Sequence, residues 1–247
     1  MKRMLEICVD SLESALIAQE AGADRVELCS CLEVGGLTPD PALFLLVRER
    51  VSIPVHVLIR PRIGNFVYSA IERLIILKSI EFFKQHKADA VVVGALQLDS
   101  TLDLEFLSKI LDVASSLSVT FHRAFDLVDN PLKVFQQLGE LGVPRVLTSG
   151  QKDSAAGGIP LLKKLVAHSS GNAKLLAGGG VNNQNVVKLL EAGITEVHAS
   201  ARKAVSENII PGKISLSRLE PDEYRVADFQ EIVNLRNQLD HYQPYVQ

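Results

Sequence analysis

Apolar and polar positions along the chain follow two periods in turn, one of two residues and one of 3.6, and the alternation recurs from near the start to about residue 200. The clearest unit is VTFHRAFDLVDNPLKVFQQLGELGVPRVLTS, from Val119 to Ser149. A short β-branched and aromatic run stops at His122 and Arg123, an amphipathic helix follows Asn130-Pro131, and a second apolar run at 145–147 ends in Thr148 and Ser149. That is one strand-helix-strand unit. The same pattern predicts strands at 4–9, 25–30, 54–60, 89–94, from 119, at 145–147, at 174–178 and at 195–200. Helices are expected after Asp10-Ser11, at 41–50, 70–86, 102–115, within the central unit, and at 160–167 and 182–191. An eighth helix, 224–239, lies beyond a long loop at about 205–223 that contains Gly212 and two prolines. Repetition at this spacing makes the fold class α/β, a single (β/α)8 TIM barrel over residues 1–247, with an open doubly wound sheet as the alternative.

Strand parity then says what the barrel holds. Leu5, Ile7 and Val9 should face the helices while Glu6, Cys8 and Asp10 face inward. Val26 and Leu28 oppose Glu27 and Cys29, and Val55, Val57 and Ile59 oppose His56, Leu58 and Arg60. Thr120 and His122 point inward by the same count, as do Glu196, His198 and Ser200. The interior is therefore polar. Carboxylates, imidazoles and a guanidinium in so small a space must pair with one another or with a ligand, because an unpaired buried charge costs several kcal/mol.

Two chemistries follow from that set. Glu27, His122 and His198 are candidates to move protons, with imidazole as the group that titrates near neutrality. No nucleophile-base spacing names a reaction, so whether the protein is an enzyme stays open. Arg60 and Arg62 flank Pro61 and are suited to grip a carboxylate or phosphate. Gly178, Gly179 and Gly180 stand before the expected seventh helix, where glycine amides and a helix start often hold phosphate; Ser200 and Arg202 add a hydroxyl and a cation, and Ser149-Gly150-Gln151 more donors. The other chemistry is metal binding. Cys8 and Cys29 sit inward on neighbouring strands, where two thiols suit a soft ion such as Cu(I) or serve as small buried apolar groups.

Composition narrows the partners. Hydrophobic residues make up 47% and charged ones 22%, as in a packed globular protein, and the net charge of −3 argues against nucleic-acid binding. The opening MKRMLEICVD reaches Glu6 and Asp10 too early for a signal peptide, and no apolar run is long enough for a membrane span. Three cysteines without a CxxC pair fit a reducing compartment. The expected protein is soluble and cytoplasmic.

LEICVDSLESA, GADRVELCS followed by GGLTP, IPVHVLIRPR, VTFHRAFD, RVLTSG, LLAGGGV and EVHASAR occur in the order of the CutC family signatures, and the chain resembles that family from Met4 to about Arg202. The resemblance implies a cytoplasmic TIM barrel, often a homo-oligomer, and a role in copper homeostasis with Cu(I) bound by Cys8 and Cys29. It also leaves room for an enzyme of unestablished reaction acting on a small anionic metabolite. One segment departs from the family pattern: Ile63 and Asn65 stand where a glycine and an aspartate are usual, which removes a carboxylate near Arg62. The third helix is unusually apolar, with Leu74, Ile75, Ile76, Leu77 and Ile80, as a subunit contact would be.

Overall fold

The computed structural model describes residues 2–169, 173–205 and 224–243. Eight parallel strands close on themselves in chain order. They are β1 (Met4–Val9), β2 (Arg25–Leu28), β3 (Val55–Leu58), β4 (Ala90–Val93), β5 (Ser118–Phe121), β6 (Arg145–Thr148), β7 (Lys174–Gly178) and β8 (Glu196–Ala199). Closure is between β1 and β8, with Glu6 opposite His198. Helices α1 (Leu12–Glu20), α2 (Pro41–Arg50), α3 (Ala70–Gln85), α4 (Leu104–Ala114), α5 (Pro131–Glu140), α6 (Ile159–Ala167) and α7 (Val186–Glu191) cover the outside. This is the (β/α)8 barrel that the repeating pattern predicts.

Local chemistry sets the helix starts. Asp40 and Asn130 accept backbone N–H groups ahead of Pro41 and Pro131, and proline in the first turn loses no helical bond. Ser69 and Glu72 form a reciprocal capping box at the start of α3. Most of the apolar core lies between barrel and helices: Leu5, Ile7, Val9, Val26, Leu28, Val55, Val57 and Val91 are fully buried there. A second, small cluster of Cys8, Cys29, Leu58 and Val92 sits on inward positions. The apolar run of α3 divides between the two sides. Ile76 and Ile80 are buried and Leu77 half-buried, whereas Ile71, Leu74 and Ile75 are exposed.

Two expected elements differ from the structure. Residues 182–185 form a turn instead of the first turn of a helix, because Asn185 Oδ1 accepts the Asn182 N–H at 3.0 Å and Asn182 Oδ1 accepts that of Gln184 at 3.0 Å. Such side chains compete with helical bonding, and α7 starts only at Val186. Residues 224–227 are not helical either. They form strand β10 (Tyr224–Ala227), which pairs antiparallel with β9 (Arg202–Val205), a strand absent from the expected set. The last helix, α8 (Phe229–His241), begins after Asp228, whose carboxylate caps it by accepting from Gln230 and Glu231. Most of the expected long loop, 206–223, lies outside the described residues. Among the described residues no helix is long and apolar enough to cross a membrane.

Candidate functional site

The polar interior is built in layers. At the bottom, Arg25 enters from the start of β2 with a side chain only 3% exposed and bonds both Glu6 and Glu196, the latter at 2.8 Å. Arg145 adds a second bond to Glu196 at 2.6 Å. Glu6 also accepts from His198 Nδ1 at 2.7 Å and lies 3.3 Å from His56 Nδ1. Burial alone would raise the Glu6 carboxyl, but Arg25, the bond from His198 and the nearby His56 outweigh it and hold the group well below the usual range. Glu196 is also lowered: Arg145 and Arg25 overcome its burial. Here the interior is a self-paired ion cluster, one of the two outcomes the sequence leaves open. Arg25 and Arg145 escape the sequence reading although both share the parity of inward neighbours, Arg25 with Glu27 and Arg145 with Leu147.

The middle layer holds Cys8, Glu27 and His198, whose ligand atoms all lie within 4.8 Å of one another. The Cys8 thiol stands 3.5 Å from Glu27 Oε1 and 3.8 Å from Cys29 Sγ, and Cys29 faces the Val9 carbonyl at 3.6 Å. Burial pushes Glu27 up to about 7, against the pull of His198. Burial would lower His198, yet the Glu27 charge and bonds to Cys8 and Glu6 hold it well above its usual value. The Cys8 thiol is raised well above normal by its bond to Cys29 and by burial. For Cys29 the Cys8 bond lowers the thiol, but burial and the Glu27 carboxylate leave it raised. Both thiols are therefore protonated near neutrality.

Above them opens a cavity of about 310 Å³ at the carboxyl ends of the strands, lined by Glu27, Arg60, Phe66, His122, Arg123, Gly179, Gly180 and Ser200 among others. His122 accepts the Ala124 N–H at its Nδ1 at 3.1 Å, which places the ring proton on Nε2. Burial and the Arg60 charge push this imidazole down to about 3, so it is neutral. Its position depends on Gly94, where a Cβ would stand 2.4 Å from His122 Cε1. Arg60 spends Nη1 on the carbonyls of Val34 and Gly36 and Nη2 on that of Gly64, and lies over the Phe66 ring at 5.1 Å. Its Nε has no partner, nor has His122 Nε2 or Glu27 Oε2, among the described residues.

Other expected site residues lie elsewhere. Arg62 points out of the chamber, paired with Glu72 and donating to the carbonyls of Asn65 and Val67. Ile63 and Asn65 are exposed and do not line the cavity, so the departure from the family pattern does not reach it. Arg202 is paired with Glu33 at 2.9 Å and with Asp10 at 3.5 Å. Gly178 is packed against Leu147 and His198, and the next two glycines, with Ser200, form the rim. Because α7 starts at Val186, no helix start stands behind these glycines. Arg123 takes the place expected for Arg62 and Arg202; its only signal in the sequence is that it directly follows strand-end His122.

The CutC family model matches residues 3–203. The family protein CutC of Pasteurella multocida is 46% identical over 199 residues, which cover 80% of this chain and 82% of the relative. That of Bacteroides thetaiotaomicron is 43% identical over 240 residues, 94% of this chain and 96% of the other. A crystal structure from Streptococcus agalactiae, described provisionally as the copper homeostasis protein CutC, superposes with a TM-score of 0.77 at 30% identity, over 80% of this chain and 98% of that one. Phosphoribosyl anthranilate isomerase from Thermotoga maritima shares the barrel at a TM-score of 0.60 and 15% identity, covering 98% of this chain and all of that one.

Proposed function

The chain belongs to the CutC family, which the name of one solved relative ties to copper homeostasis, and on that premise we propose that its barrel mouth binds a small oxygen-rich anion and moves a proton on it. One observation carries this reading. Glu27, Arg60 and His122 come from three different strand ends, line one cavity, and each keeps a buried polar atom without a partner among the described residues. Each such atom costs about 1–3 kcal/mol if it stays unpaired. A ligand with acceptor oxygens for Arg60 Nε and His122 Nε2, and a proton to share with Glu27, satisfies all three.

The roles follow from the electrostatics. Glu27, with its carboxyl near 7, can take or give a proton at physiological pH. Neutral His122 donates from Nε2 without competing for that proton, so it can stabilise a developing oxyanion. Arg60 supplies the fixed charge. The test is thermal unfolding against a panel of small carboxylates and phosphate monoesters. At least one compound is expected to raise the midpoint, with the gain lost in Arg60→Gln and His122→Ala. A panel with no effect on the wild-type protein defeats the reading.

A second reading rests on the thiols. Cys8 and Cys29 lie 3.8 Å apart, and His198 and Glu27 are within reach of Cys8. This donor set fits Cu(I), which prefers sulfur and imidazole. Cys8 and Cys29 would hold the ion, with His198 beside them, and the ion's positive charge would offset one of the two thiolate charges. Both thiols must lose protons they hold tightly, so affinity should climb steeply with pH. Reduced protein is expected to take up one Cu(I) per chain more tightly at pH 8 than at pH 6. Equal uptake by a Cys8→Ser/Cys29→Ser variant removes this reading. The two readings share Glu27 and one cavity, which Cys8 and His198 also line, so bound Cu(I) should also abolish the thermal shift given by an anion.

A further inference from the structure

The cavity has two unlike walls. The floor carries Glu27, His198 and Cys8, whereas the rim on the β7–β8 side is made of Gly179, Gly180, Ala199 and Ser200, with Arg123 beside it. Gly179 and Gly180 have φ of +103° and +66°, a pair of left-handed residues that turns successive amides out of the strand direction. The N–H groups of Gly180 and Ser200 have no backbone partner among the described residues, while that of Gly179 stands at the end of the ladder in which Gly178 pairs with His198. Arg123 is braced on one edge only. Its Nε donates to Asp126 at 2.8 Å and one terminal nitrogen, Nη2, to Ser149 Oγ at 2.9 Å. The other terminal nitrogen, Nη1, lies toward Gly179, where a Cβ would stand only 3.4 Å from it.

Asp126 keeps this cation in place. Its carboxylate also accepts from Thr148 Oγ1 at 2.5 Å and from the amides of Ser149 and Gln151 at 3.1 Å each, so the brace is tied to the loop after β6. Backbone amides, the Ser200 hydroxyl and a guanidinium nitrogen thus border one patch of the rim. A carboxylate meets these donors with two oxygens, while a phosphate presents three terminal oxygens and a higher charge. The floor is the wrong place for such a dianion, because the Glu27 carboxyl lies there.

We propose that the rim formed by Gly179, Gly180, Ser200 and Arg123 is a phosphate subsite, so that the ligand of the mouth is a phosphate monoester whose other end reaches Arg60, His122 and Glu27. This deepens the anion reading above and rests on it. A cavity of about 310 Å³ suits a small phosphorylated metabolite.

Inorganic phosphate and, separately, malonate are titrated into the 15N-labelled full chain at pH 7.5, and amide resonances are followed. Phosphate is expected to move Gly179, Gly180 and Ser200 saturably, and Arg123→Gln to weaken its affinity about tenfold. No movement of these amides in the wild-type chain, or equal affinity in the variant, overturns the proposal, and the wild-type result needs no variant to fold. If malonate perturbs residues around His122 and Glu27 while phosphate leaves the rim untouched, the subsite falls and the anion reading stands. If neither anion produces a saturable shift, both fall.

Discussion

Replacing Arg25 by methionine is expected to destabilise the barrel by about 3–5 kcal/mol at pH 7, the cost of breaking a buried ion pair from one side. The guanidinium is 3% exposed and is shared by Glu6 and Glu196, which are 1% and 3% exposed. Without it, among the described residues, Glu6 keeps two imidazoles as partners, while Glu196 keeps Arg145 and a distant Lys174 amine. The pH dependence has a definite sign. Glu6 and Glu196 both have folded values below the ordinary carboxylate range. Their contribution to stability is therefore present above about pH 4.5 and lost as pH falls through the folded values. The variant should lose most near neutrality, and the gap to wild type should narrow in acid. Urea unfolding at pH 7 and at pH 4 measures both. A loss under 1 kcal/mol at pH 7 would mean that the cluster does not behave as buried charge.

Glu27→Gln should act in the opposite direction. An unfolded glutamate ionises near about 4.3, whereas burial holds the folded carboxyl at about 7. Between these values the folded chain carries the extra proton, so stability falls as pH rises through the window, and above pH 7 the full penalty is in place. That penalty is about 4 kcal/mol. His198 reinforces the trend. Its folded value is raised, so its contribution is fully present below about pH 6.5 and is lost as pH rises through the folded value. The glutamine variant escapes the carboxylate's share. It should match the wild type near pH 4.5 and exceed it by up to about 4 kcal/mol at pH 8, while losing the group proposed to carry the proton. A difference that stays constant with pH would show that Glu27 is not held neutral by its surroundings. Stability given up at one side chain is what a preorganised polar site entails.

The site residues were legible to unequal degrees, for physical reasons that differ from case to case. Cys8, Glu27, His122 and His198 follow from parity, because each lies on a strand, or directly after one, between two outward aliphatics or at a strand's polar end. Arg62 misled because a loop arginine next to Arg60 looks free. Its partner, Glu72, belongs to the Ser69 capping box at the start of α3, a signal present in the sequence but not connected to it. Arg202 misled in the same way, since Glu33 and Asp10 approach it from loops far away in the chain. Asn182 to Asn185 read as the beginning of a helix on position alone. Their side chains bond the backbone around them, and the helix starts later.

By itself the sequence determined the barrel and most of the inward side chains of its strands, Arg25 and Arg145 excepted. Side-chain alternation along a strand is a local property of extended backbone, and the recurrence of strand and amphipathic helix leaves few ways to bury the outward aliphatics. Only the tertiary structure decided how the interior charges divide. Glu6 meets His198 across 192 positions of chain and Arg25 meets Glu196 across 171. Those meetings depend on the register at which β8 closes on β1, and interstrand register has no counterpart in any single segment. The closure left Glu6 and Glu196 neutralised below and Glu27, Arg60 and His122 with bonds still to make above, and that difference in height separates the part of the barrel that holds the fold from the part open to a ligand.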